Sequence, residues 1–171
     1  MSAALTPVFV VAALLLCVAG AFKLRAPEPA AGALQALGLP ASAWIVRILA
    51  TGEVLLGAAC AVHPTQASAA VLTGTYATFA GVAAALARRR AACGCFGEDD
   101  TPVSPVHWIA SATLAVVSAV AVVAGSHGLG WVLRRPAPAA AVLVVGIAGA
   151  LYATVLLYTQ LPAAWAAWSG E

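Results

Sequence analysis

The segment PVFVVAALLLCVAGAF, residues 7–22, carries no charged side chain, and its one reactive group is the thiol of Cys17. As an α-helix it would be about 24 Å long, most of the ~30 Å hydrocarbon thickness of a bilayer. Unpaired backbone groups are costly in hydrocarbon, so such a run is expected to be a helix rather than an isolated strand. Working outward from it, four more apolar runs follow at about Ala43–Val62, Ala67–Ala87, Val106–Ala124 and Ala139–Thr159. Only the second contains charged residues, Arg47 and Glu53. The expected fold class is all-α: one polytopic transmembrane helix bundle over residues 1–171, with about five spans, a four-span core and a C-terminal helix.

Composition agrees. Of the 171 residues, 63% are hydrophobic and 8% charged, far outside the range of soluble globular domains. Five crossings leave no room for a soluble catalytic domain. The net charge of +2 sits near the ends of apolar runs, as topology determinants do, and excludes a nucleic-acid surface. Between the first two runs, Pro27-Glu28-Pro29 breaks the pattern and Leu34, Leu37 and Leu39 follow before Pro40, a stretch suited to a short interfacial helix.

Ala19-Gly20-Ala21 has the small-residue pattern of a signal-peptide cleavage site. Against cleavage, Met1–Thr6 contain no Lys or Arg, whereas Lys23 and Arg25 follow the run. The expectation is a retained first helix with its N-terminus outside a bacterial-type plasma (inner) membrane. Lys23, Arg25 and the triplet Arg88-Arg89-Arg90 are then cytoplasmic, and Arg134 and Arg135 external. Small residues at Gly52, Gly57, Gly74, Gly81, Gly146 and Ala150 suit close helix packing, within one chain or in a homo- or hetero-oligomer. Trp44, Trp108, Trp131, Trp165 and Trp168 near or beyond span ends read as an aromatic belt.

The chemistry-bearing candidates are few. Cys93-Gly94-Cys95 lies in the polar loop 88–105, on the expected cytoplasmic side. Two thiols one residue apart suit a dithiol/disulfide couple whose small ring stores strain and is easily reduced, and Gly94 gives the backbone freedom to close it. The flanking arginines favour thiolate, while Glu98, Asp99 and Asp100 oppose it. The bland alternative is a tight interfacial turn. With no second cysteine cluster, no zinc site is expected, whereas two-coordinate cuprous ion remains an alternative. Cys17 and Cys60, inside spans and expected at different depths, read as apolar fillers.

Glu53, midway along the second run, needs a partner or a proton at that depth. Arg47 is six residues away and poorly placed for an ion pair on the same helix, while Lys23 can reach by snorkelling. Lys23, Arg47 and Glu53 form the candidate binding set for a cofactor head group such as a quinone's, with Glu53 also a candidate proton carrier. A structural network orienting the first two helices is the alternative. His107, just after Pro105 at the start of the fourth run, is a candidate base, although an interfacial histidine is ordinarily solvated.

Three places resemble the MauE/DoxX-like family of redox-associated membrane proteins. They are Gly20-Ala21-Phe22-Lys23-Leu24, then Arg47 with Glu53 and Gly57, and Cys93-Gly94-Cys95-Phe96-Gly97. His107 also resembles a family position, but Ala110, Ser111 and Ala112 stand where an Arg-Asn is often found. The resemblance implies a helical bundle working with a thioredoxin-like or other thiol protein in disulfide chemistry, with Cys93, Cys95, Glu53 and His107 as catalytic candidates. Rival readings are a non-catalytic assembly or scaffold subunit and a cuprous-ion carrier; Met1 as the only methionine counts against the latter.

Overall fold

The computed structural model describes residues 2–89, 91 and 103–161. Cys93, Cys95, Arg90, Trp165 and Trp168 lie outside the described residues. The chain forms α1 (Ser2–Arg25), α2 (Glu28–Ala36), α3 (Ala43–Val62), α4 (Gln66–Arg89), α5 (Pro105–Ala124), α6 (Leu129–Leu133) and α7 (Ala137–Thr159), with no strand among the described residues. Helices α1, α3, α4, α5 and α7 are long and apolar enough to cross a membrane. The second span begins and ends as expected. The first is longer at both ends: it accommodates Pro7 within the helix and runs on through Lys23 and Arg25, whose charges complement the carbonyl end of the helix.

The connections follow from local chemistry. Gly38 at the end of α2 has φ +83°, and the N–H groups of Gly38 and Leu39 donate to the carbonyls of Gln35 and Leu34, a Schellman closure that glycine allows. The α2 C-terminus is also held by Arg89 Nη1, which donates to the Ala36 carbonyl, so α2 is tied to the end of α4. At the start of α4, Thr65 and Ser68 cap reciprocally, each hydroxyl oxygen accepting from the other's backbone N–H at 3.1 and 2.9 Å.

At the centre is α1, with Phe9, Leu15 and Leu16 buried among residues of α3, α4, α5 and α7. It packs along α3, while α4 packs along α5. Close approach of α1 and α3 is enforced by two glycines. A Cβ at Gly57 would lie 2.5 Å from the Ala13 carbonyl oxygen and 2.6 Å from Cys17 Sγ; one at Gly20 would lie 2.8 Å from the Ala50 carbonyl oxygen. Of the small residues expected to pack helices, only Gly57 does so. Gly52, Gly74, Gly81 and Gly146 face open space and Ala150 is exposed, because these positions fall on outward or cleft-lining faces.

Successive spans alternate, so one end of the bundle collects the C-termini of α1, α4 and α7, the N-termini of α3 and α5, and α2. Ala91 and Val103, which flank the stretch containing Cys93 and Cys95, belong to this end. Arg25, Arg88 and Arg89 are also here, whereas Arg134 and Arg135 follow α6 at the other. There Arg135 stacks on Trp131 at 3.9 Å and His127 stacks on the same ring. Trp44 and Trp108 lie exposed at the opposite end, so aromatic residues do flank the spans on both sides.

Candidate functional site

Lys23 and Glu53 meet where α1 crosses α3. The antiparallel packing brings the end of α1 beside the middle of α3, and Lys23 Nζ donates to both carboxylate oxygens of Glu53, at 2.7 and 2.8 Å. Each side chain is about a tenth exposed. Lys23 does not snorkel to the interface as a lone cation would; it is buried in a two-pronged ion pair. Its ammonium also lies 4.5 Å from the centre of the Phe79 ring on α4, a cation–π contact that brings a third helix to the pair. Arg47 takes no part. It is exposed, and it forms no ion pair among the described residues.

Lys23 lines two cavities, and Glu53 one of them. On one side, a cleft of about 740 Å³ runs between α3 and α4 under α2, lined by Leu49, Gly52, Val71 and Thr78 as well as Lys23 and Glu53. On the other, a cavity of about 30 Å³ is bounded by Lys23, Tyr76, His107, Ser111 and Tyr158. A water needs roughly 10–15 Å³ by this kind of measure and several polar neighbours, conditions this cavity meets.

His107 is buried, not solvated: Tyr158 on α7 covers it edge-on, with ring centres 5.7 Å apart. The Ser104 N–H donates to His107 Nδ1 at 3.3 Å, so the imidazole fills the place that Glu or Gln takes in a capping box. Ser111, one of the residues standing where the resembled family often has Arg-Asn, is within 3.0 Å of the Tyr158 hydroxyl. Tyr76 donates to the Ala12 carbonyl at 2.6 Å. Tyr76, Phe79, Ser111 and Tyr158 therefore belong to the site, and no local pattern announces them. They come from three helices, Tyr76 and Phe79 from α4, Ser111 from α5 and Tyr158 from α7, and their convergence is a matter of packing.

Cys93 and Cys95 lie outside the described residues, but the base of their loop is described. The Val103 N–H donates to the Ala91 carbonyl at 3.1 Å, and Val103 is buried against Ala33, Ala83 and Leu86. The loop thus leaves and returns at one point, next to α2. Cys17 and Cys60 are free thiols near the Val54 and Ser68 carbonyls, 3.5 Å in each case. The α1–α3 register puts them only about 7 Å apart along the helix axis, closer in depth than expected from the sequence. Among the described residues no cluster of three or more His, Cys, Asp or Glu is placed to hold a metal ion.

No curated protein and no solved structure matches the chain. A comparison with protein families does match, to methylamine utilisation protein MauE over residues 1–126. That region runs through α5 and includes the ion pair, the cleft, the cysteine loop and His107, leaving α6, α7 and Tyr158 beyond it. With nearly three quarters of its length so matched, this multi-pass membrane protein belongs to the MauE family.

Proposed function

We propose that this protein is an integral membrane thiol–disulfide redox protein, in which Cys93 and Cys95 exchange electrons with a thioredoxin-like or other thiol protein. The observation that carries the reading is the pinned base of the loop. The hydrogen bond between Val103 and Ala91 closes the base of the stretch that contains Cys93 and Cys95, at the end of the bundle where α1 ends two residues after Lys23 and α5 begins two residues before His107.

A partner thiolate attacks the Cys93–Cys95 disulfide, forming a mixed disulfide with one cysteine and releasing the other as thiolate, and the partner's second thiol then resolves it. When the partner is oxidised, its two thiols lose two electrons and two protons and the Cys93–Cys95 bond is broken. A lipid-soluble quinone then takes up both electrons and both protons, restoring the disulfide and leaving as quinol. Glu53 and Lys23, with His107, handle the protons. The protein resides in a bacterial-type plasma membrane with its N-terminus outside. The loop end, which carries Lys23, Arg25, Arg88 and Arg89, then faces the cytoplasm, as the distribution of positive charge favours.

The test is redox trapping of the full-length protein in native membranes. Acid quenching and differential alkylation, read by mass spectrometry, should find Cys93 and Cys95 interconverting between dithiol and disulfide when a reduced thioredoxin is added. Cys93→Ser and Cys95→Ser should each abolish turnover, and one of them should accumulate the mixed disulfide. A pair that never oxidises, or full function in the doubly substituted protein, would refute the redox reading and favour a scaffold.

A further inference from the structure

The cleft between α3 and α4 is built differently from an ordinary groove between lipid-facing helices. Its walls are apolar, from Ala30 and Leu34 of α2, Leu49 and Leu56 of α3, and Val71 and Val82 of α4. The Thr75 and Thr78 hydroxyls donate to the carbonyls of their own helix, at Val71 and Gly74, and present only acceptor oxygens. At the inner end lie Glu53, Lys23 and the flat ring of Phe79. Leu49, Gly52, Val71, Gly74 and Thr78 are exposed within the spans, so the mouth opens sideways into the bilayer core.

These features define an occupant. It reaches the site from within the membrane, so it has an apolar tail. Its head is uncharged, because the Lys23–Glu53 pair is already neutral and an anionic phosphate would face the Glu53 carboxylate. The head accepts a hydrogen bond, since the ammonium of Lys23 is the donor on the cleft wall, and a planar ring suits the surface of Phe79. We propose that the cleft binds a quinone. The ring lies beside Phe79 with one carbonyl accepting from Lys23 Nζ, and the tail leaves between α3 and α4. In the quinol, the corresponding hydroxyl donates to Glu53, so one ion pair recognises both redox states. This assignment deepens the redox reading above, which requires an electron acceptor.

Two glycines make the test selective. Gly52 and Gly74 line the cleft, and a Cβ at either would meet nothing within 4 Å. Gly74→Leu therefore fills the cleft without touching the ion pair. The full-length protein in lipid nanodiscs would be photolabelled with an azido-benzoquinone bearing a decyl tail, and adducts mapped by mass spectrometry. Adducts are expected on α3 and α4 around Gly52 and Gly74. Gly74→Leu should lower labelling at least about tenfold while retaining the wild-type unfolding temperature.

Unlabelled decylquinone should compete, and excess phosphatidylglycerol should not. Adducts confined to other helices, labelling unaffected by Gly74→Leu, or displacement by the phospholipid alone would overturn the proposal, the last assigning the cleft to an acyl chain. Labelling of the Cys93→Ser/Cys95→Ser protein separates the two readings. Binding that persists while the wild-type pair never oxidises sinks only the thiol reading, and cycling cysteines with no labelled cleft sink only the quinone site.

Discussion

Substituting Glu53→Leu leaves the Lys23 ammonium facing Phe79 with no counter-charge, in a position where about a tenth of the side chain is exposed. Removing one partner of a buried ion pair costs about 3–5 kcal/mol, because the survivor stays desolvated without compensation. Lys23→Met should cost as much or more, since it also removes the cation–π contact, itself worth roughly 0.5–2 kcal/mol. Replacing both residues removes both desolvation penalties, and the double variant should come within about 1 kcal/mol of wild type or exceed it. The expected coupling energy between the two sites, the sum of the single costs less that of the double variant, is therefore about 5 kcal/mol or more. Reversible unfolding by SDS in mixed micelles, followed by tryptophan fluorescence, measures all four corners of the cycle. Additive single substitutions, or a Glu53→Leu cost below about 1 kcal/mol, would show that the two side chains do not meet as described. A stable double variant that no longer binds the quinone probe would locate the value of the pair in function.

His107→Ala should lower stability by about 1 kcal/mol through loss of the cap at the start of α5, whereas His107→Gln should restore most of it, because Gln serves in a capping box; SDS unfolding again reads the difference. Gly57→Ala drives a methyl group into the Ala13 backbone and should cost roughly 1–3 kcal/mol, while Gly146→Ala, in open space, should be neutral. Tyr158→Phe removes the hydroxyl that meets Ser111 and should cost about 1 kcal/mol in the same assay. In a background with all four native cysteines replaced, Arg135→Cys should react with a membrane-impermeant maleimide in intact cells, and Glu28→Cys only after permeabilisation. The reverse pattern would invert the proposed orientation.

The spans were legible because long apolar runs leave few alternatives in lipid, and Arg47 and Glu53 did not obscure the second one. Where each helix sits was not. Helices α1 and α7 are equally apolar, with mean hydropathies of 2.5 and 2.4 over their most apolar 18 residues, yet 56% of that stretch is buried in the first and only 6% in the last. A helix apolar on every side suits a protein core and a lipid annulus alike, so periodicity carries no information here. The five-residue helix α6 is too short to show a period at all. Glu53 and Lys23 stood out as charges in apolar surroundings, but their pairing depends on the antiparallel register set by Gly20 and Gly57. The burial of His107 depends on Tyr158, 51 positions later, which no reading around Pro105 could supply.

The ion pair also bears on the order of events during synthesis. Lys23 precedes Glu53 by 30 residues, which at about 5–20 residues per second is a wait of roughly 1.5–6 s. During that interval Lys23, two residues from the end of α1, can rest its ammonium among the lipid head groups. Glu53 has no such refuge, since it emerges in mid-helix with about ten residues on either side. The cation is thus already waiting at the membrane when the anion arrives, and α3 can leave the translocon as one half of a neutral pair rather than with a lone charge.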